Sequence, residues 1–292
     1  MLSDTESPAK DTFAEASSVV GYDLWKLIAE DPGHQLDQTE YTQPAILASS
    51  IALYRLVQEQ GMPAPDVVAG HSLGEYSALV VAEVLRFSDA VALVQQRGRF
   101  MQTAVPLGEG GMAAIMGLSD DKVREACQAA AGGEVVQAAN YNAPGQVVIA
   151  GSISAVERGI EACKAAGSKR SIPLSTSAPF HSALMQPAAE KMALVLESVN
   201  FSFPKVPVVQ NIDAAIHEEP KAIRENLVAQ ICGAVLWADT VRVLSGMGVK
   251  TLIECGPGKV LSGLTKRIDR SLTTRSFESL EAIMGSREEL VL

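Results

Sequence analysis

The residues best placed to do chemistry in this sequence are Gly70-His71-Ser72-Leu73-Gly74. Gly-x-Ser-x-Gly is the pattern of a nucleophile elbow, a sharp strand-to-helix turn that leaves a serine hydroxyl exposed at the top of a sheet. So tight a turn pushes backbones together and calls for glycine on both sides, where a Cβ would clash. The N-terminus of the following helix would aim backbone N–H groups and a partial positive charge at any oxyanion formed there. The bland alternative is a glycine-rich turn with a bystander serine.

A serine hydroxyl is a weak nucleophile without a base in hydrogen-bond reach. The chain has 4 histidines. His34 lies among Asp31, Pro32 and Gly33, and His217 lies beside Glu218, Glu219 and Pro220; both read as exposed loop residues. His71 adjoins the serine, and its side chain should point away at such a turn. His181 remains, in Ser177-Ala178-Pro179-Phe180-His181-Ser182, where Pro179 stiffens the approach and a helix follows. On these residues alone His181 reads as the base or as a buried or capping histidine.

The elements that must hold these groups follow from periodicity. Val67-Val68-Ala69 reads as a short buried strand before the elbow, and helices are expected over 12–16, 44–60, 74–82 and 88–103. Strand 112–116, helix 119–131, strands 135–139 and 146–150, helix 152–166 and strand 169–172 then give β-α-β-β-α-β, the split pattern of a ferredoxin-like module. A small subdomain at 107–176 is therefore expected, inserted into a larger α/β domain of 1–106 and 177–292. That domain resumes with helix 183–198, strand 206–210, helices from Lys221 and Ala238, strand 251–254 and helix 259–268. The last twenty or so residues carry little pattern. Alternating strands and helices imply a mainly parallel sheet with helices on both faces, an α/β-hydrolase-like core, with ligands at the carboxyl ends of the strands, where Ser72 stands.

With 292 residues the chain can enclose a sizeable core, and a net charge of −10 argues against a nucleic-acid partner. No apolar run approaches a membrane span, and the first sixteen residues are too polar for a secretory signal. Cys127, Cys163, Cys232 and Cys255 are scattered without metal-like spacing, and read as reduced thiols of a cytoplasmic protein. Neither a metal nor a cofactor is expected.

Five motifs in order carry more information: Gly70-His71-Ser72-Leu73-Gly74-Glu75-Tyr76; Gln95-Gln96-Arg97-Gly98; Asn142-Ala143-Pro144-Gly145-Gln146; Pro179-Phe180-His181 with Leu184-Met185; and Gly256-Pro257-Gly258-Lys259-Val260-Leu261. Together they closely resemble the malonyl-CoA:acyl carrier protein transacylases of fatty acid synthesis, over about 13–268. The resemblance implies ping-pong transfer of a malonyl group from malonyl-CoA through a malonyl ester of Ser72 to the phosphopantetheine thiol of acyl carrier protein. His181 would be the base, oriented by the backbone carbonyl of Gln230 rather than by a carboxylate. Arg97 would pair with the malonyl carboxylate, a task suited to a guanidinium fork, although on its own it reads equally as a solvated helix-face arginine beside Arg99.

By the same resemblance, Gln43, Met101, Met112 and Asn142 line the pocket; methionines at such spacing are more often core, and Gln43 before Pro44 also reads as a helix start. Phe180 before His181 suggests malonyl over methylmalonyl, though one methyl is worth only about 1–3 kcal/mol. Lys169 and Arg170 match a pair facing the CoA phosphates, and Lys266 with Arg267 could extend a surface for the carrier protein. A monomer is expected.

One departure stands out. The family begins with a short apolar strand and a Gly-Gln-Gly-Ser-Gln loop whose first glutamine gives one backbone N–H of the oxyanion hole, the other being that of Leu73. This sequence has neither, so truncation is expected, and a lost oxyanion donor costs about 10²–10³ in rate. Two other readings are a serine hydrolase or thioesterase built on the same elbow, and a weakened paralogue serving as a binding module.

Overall fold

Capping residues set the first elements of the computed structural model, which describes residues 7–277. Helix α1 (Pro8–Val20) starts at Ser7, whose hydroxyl accepts from the Lys10 N–H, and stops at Gly21 with φ 84°. The sequence expectation of 12–16 covers only its middle. Helix α2 (Leu24–Glu30), capped by Asp23, was not expected; its seven residues are too few to show a period.

Helix α3 (Thr39–Glu59) corrects the expected start at Pro44, which lies inside it. Proline deletes one backbone hydrogen bond of a helix, to the carbonyl four residues back. Packing holds the extra turn in place. A Cβ on Gly98 would come within 2.6 Å of Glu40 Cα, so the start of α3 lies directly on α5 (Phe87–Gln102). Gln43 is thus a turn inside the helix, and its amide donates to Thr39 Oγ1 at 3.0 Å.

Strand β1 (Val68–Ala69) leads into the elbow and α4 (Gly74–Val81). Its parallel partner is β6 (Val208–Val209), with Val68 opposite Val208. Strand β7 (Thr251–Cys255) pairs in parallel with β8 (Thr273–Phe277). Among the described residues the expected parallel sheet is therefore two separate two-stranded pairs. Strands β1 and β6 are short because each turns at once into polar residues, Gly70-His71-Ser72 and Gln210-Asn211. Strand β8 lies where no strand was expected, since Thr273-Thr274-Arg275-Ser276 shows no apolar alternation. Residues 278–292 lie outside the described residues.

Strands β2 (Gly110–Met116), β3 (Val136–Ala143), β4 (Gln146–Ser152) and β5 (Arg170–Leu174) form an antiparallel sheet in the order β3-β4-β2-β5. Helices α6 (Asp120–Ala130) and α7 (Ile153–Ala165) share an apolar cluster with one face, through Val123, Cys127, Val156 and Cys163. The other face, with Met112, Ala139 and Val148, meets Phe180.

The expected helix over 183–198 divides into a 3-10 turn, Ala183–Met185, and α8 (Gln186–Glu197), because Pro187 begins a new helix at its first turn. Helices α9 (Pro220–Cys232), α10 (Trp237–Gly246) and α11 (Val260–Ile268) complete the chain's mixed α/β fold. The main core joins α1, α3, α5 and α8 through fully buried residues such as Leu47, Leu93 and Met192, each such side chain contributing about 1.5–3 kcal/mol. Among the described residues no helix is long and apolar enough to cross a membrane.

Candidate functional site

The elbow is as tight as its pattern implies, but only one glycine is sterically required. A Cβ on Gly70 would overlap the carbonyl group of Gly74, whereas a Cβ on Gly74 would meet open space. Ser72 itself sits in the left-handed region at φ 51°, a strained conformation for a residue with a side chain. Asn211, just beyond β6, clips it there: the Ser72 N–H donates to Asn211 Oδ1 at 2.6 Å, and Asn211 Nδ2 donates to the Gly70 carbonyl at 2.7 Å. The neighbouring Leu73 N–H donates to no protein group among the described residues.

His181 is the base geometry allows. Its Nε2 lies 2.7 Å from Ser72 Oγ, and its Nδ1 lies 2.8 Å from the Gln230 carbonyl oxygen. A carbonyl only accepts, so the proton is on Nδ1 and the Nε2 lone pair faces the serine hydroxyl. Burial, and then the charge of Arg97, push the imidazole down to about 3, so it is neutral at ordinary pH and its Nε2 lone pair is free. His181 also lies at positive φ, 58°. Gln137 of β3 braces this loop, donating to the carbonyl oxygens of His181 and Cys232 and accepting from the Ala183 N–H at 3.1 Å. A Cβ on Gly110 of β2 would overlap the ring of Pro179, so the small sheet supports the base from below.

Arg97 is only 2% exposed, which removes the solvated-face reading; it is Arg99 that lies outside, paired with Glu40. Its NH1 donates to Gln43 Oε1 at 2.8 Å, and its NH2 to Gln230 Oε1 at 2.9 Å and Ser72 Oγ at 3.1 Å. A buried cation thus faces the hydroxyl from one side and a neutral base from the other. This arrangement favours the serine alkoxide, with a fixed positive charge in hydrogen-bond contact with its oxygen.

The remaining sequence candidates fall in two places. Met101 is buried beside Gln43, with its sulfur 4.0 Å from the amide nitrogen. Met112 and the half-buried Phe180 pack together under the base. Asn142 meets His71, whose Nε2 lies 2.8 Å from Asn142 Oδ1. Lys169 and Arg170 are exposed at the far end of β2, where Arg170 pairs with Met116. Arg267 hydrogen-bonds Gln146 at that same end. Among the other histidines, His34 is exposed and His217 pairs with Asp213 at 2.7 Å.

Several polar residues of the site were not anticipated: Asn211, Glu75, Gln210 and the side chain of Gln230. Their signals were faint. Gln210-Asn211 is a polar pair directly after an apolar strand, and Glu75 is the one charge in a helix that otherwise reads as core.

A deep elbow serine with a neutral histidine and a buried arginine is an acyl-transfer arrangement, and the sequence matches the acyl transferase domain family over residues 3–285. The chain belongs to that family, among the malonyl-CoA:acyl carrier protein transacylases. It is 53% identical to the malonyl CoA-acyl carrier protein transacylase of Escherichia coli strain K12, over 96% of this chain and 90% of that one. The solved structure of the malonyl CoA-acyl carrier protein transacylase from Coxiella burnetii superposes with a TM-score of 0.96 at 43% identity, covering 98% of this chain and 90% of that chain. A malonyl-transacylase solved in complex with its type II polyketide synthase acyl-carrier protein gives a TM-score of 0.95 at 49% identity, over 97% and 91% of the two chains.

Proposed function

We infer that this enzyme transfers the malonyl group of malonyl-CoA to the phosphopantetheine thiol of acyl carrier protein. The observation that carries the reading is the convergence on Ser72 Oγ of a neutral imidazole at 2.7 Å and a buried guanidinium at 3.1 Å. Ser72 Oγ attacks the thioester carbonyl as His181 Nε2 takes the hydroxyl proton. The tetrahedral oxyanion is stabilised by the Leu73 N–H at the start of α4. The C–S bond breaks, and His181 returns the proton to the departing CoA thiolate, leaving a malonyl-serine ester. The carrier thiol then gives its proton to His181, attacks the ester carbonyl, and Ser72 recovers its proton from the imidazolium.

Arg97 holds the malonyl carboxylate throughout, and Gln43 and Gln230 set the plane of its fork. Met101, Met112, Asn142 and Phe180 shape the acyl pocket. Lys169 and Arg170 face the CoA phosphates, and Lys266 with Arg267 continues this basic strip for the acidic carrier. The placement of Arg170 and Arg267 at one end of the small sheet supports that reading. Residues 107–176 are read as a ferredoxin-like subdomain inserted in an α/β-hydrolase-like catalytic part of 1–106 and 177–292. The antiparallel order β3-β4-β2-β5, with both helices on one face, supports it.

Mass spectrometry after brief exposure to malonyl-CoA tests the assignment. A malonyl adduct on the peptide bearing Ser72 is expected, absent in Ser72→Ala and discharged by carrier protein. Steady release of free malonate without carrier would instead mark a hydrolase.

A further inference from the structure

We propose that Glu75 is a positioning residue for the arginine clamp: through the side chain of Gln230 it fixes the Arg97 guanidinium and supplies its buried counter-charge. The proposal rests on Arg97 being the group that binds the malonyl carboxylate.

Glu75 lies in the first turn of α4 and is 1% exposed. Its oxygens accept three hydrogen bonds, Oε1 from Gln210 Nε2 at 2.9 Å, and Oε2 from the Asn211 N–H and from Gln230 Nε2, both at 2.9 Å. Burial pushes this carboxyl up, whereas its three donors and the nearby Arg97 charge pull it down, and so many donors suit the ionised form, which can only accept. Gln210 is itself fixed, since its Oε1 accepts from Asn226 Nδ2 at 3.0 Å.

The consequence lies at Gln230. A primary amide has one donating and one accepting end. With Nε2 committed to Glu75 and to the Ser72 carbonyl at 3.1 Å, Oε1 must face the other way, where it accepts from Arg97 NH2 at 2.9 Å. Turned over, the amide would set its NH2 against the guanidinium, donor against donor, in a site sealed from water. Glu75 therefore decides which end of the amide Arg97 meets. The other partners of the fork, Gln43 and Ser72, are neutral, so Glu75 provides the compensating charge one amide away. The backbone carbonyl of the same Gln230 accepts from His181 Nδ1, so the brace that sets the clamp also steadies the base.

The test compares malonyl-CoA with acetyl-CoA, which lacks the carboxylate, as acyl donors to Ser72. In Glu75→Gln the charge is gone and one of the three donors faces an NH2. The malonyl preference is expected to fall at least tenfold, mainly through a raised KM for malonyl-CoA, and Glu75→Asp is expected to regain part of it. Equal losses with both donors, or a lowered Tm with the preference intact, would overturn the proposal. Arg97→Ala runs alongside. If the preference survives there, the clamp reading itself fails. If it is lost there but kept in Glu75→Gln, only the role of Glu75 fails. Should Glu75→Gln not fold, Gln230→Met cuts the same relay at its other end, and a preference retained in it overturns the proposal equally.

Discussion

Two side chains control the reacting serine, and each makes a separate prediction. Arg97→Ala should cut kcat/KM for malonyl-CoA at least 100-fold, about 2.7 kcal/mol, while acetyl transfer changes far less. Parallel kinetics with the two donors check this. His181 predicts a pH effect of definite sign. Its folded value of about 3 lies below the ordinary value of about 6.5, so the unfolded chain binds a proton that the folded one refuses. Stability should therefore fall as pH drops from about 6.5 towards 3, by about 2 kcal/mol at pH 5 from this group alone. Denaturant titrations at pH 7 and pH 5 should show a smaller drop in His181→Gln than in wild type. Between pH 5 and 8, by contrast, the rate of serine acylation should show no histidine inflection.

At the scale of elements, close backbone approach sets the site, and glycines mark where. Gly98→Ala puts a Cβ 2.6 Å from Glu40 Cα and must part α3 from α5, which carry Gln43 and Arg97. It should lower Tm and raise the KM for malonyl-CoA together. Gly74→Ala meets open space and should be neutral or stabilising by up to about 1 kcal/mol. Calorimetry on the pair distinguishes them. The sequence made the elbow, the His181 loop and the small sheet legible because each has a local signature: a spaced motif, a proline-stiffened loop, short apolar runs joined through turn residues. It did not reveal the first turn of α3, since Pro44 reads as a helix start unless the contact with Gly98 is known. It also left β8, α2 and the Glu75–Gln210–Asn211 network unseen, because hydrogen bonds spanning some 135 positions leave no local pattern.

Across the whole molecule, a net charge of −10 would repel both polyanionic substrates, so productive approach depends on where the cations lie. Arg170 and Arg267 share one end of the small sheet. Reversing charge there, as in Lys266→Glu with Arg267→Glu, should raise the KM for carrier protein about tenfold at low ionic strength. High salt should narrow the difference, because surface charges are screened within about 10 Å at 0.1 M.

Ser72 and His181 both hold positive φ, at 51° and 58°. Backbone of this kind costs about 1–3 kcal/mol per residue in any side-chain-bearing amino acid, while glycine adopts it freely. The enzyme thus gives up part of its thermal tolerance so that nucleophile and base can face each other, and an inert protein could be sturdier than the working one. Ser72→Gly should be dead and yet melt at or above the wild-type temperature; a clear fall in Tm would show that the clip from Asn211, rather than the turn, governs the elbow's energy.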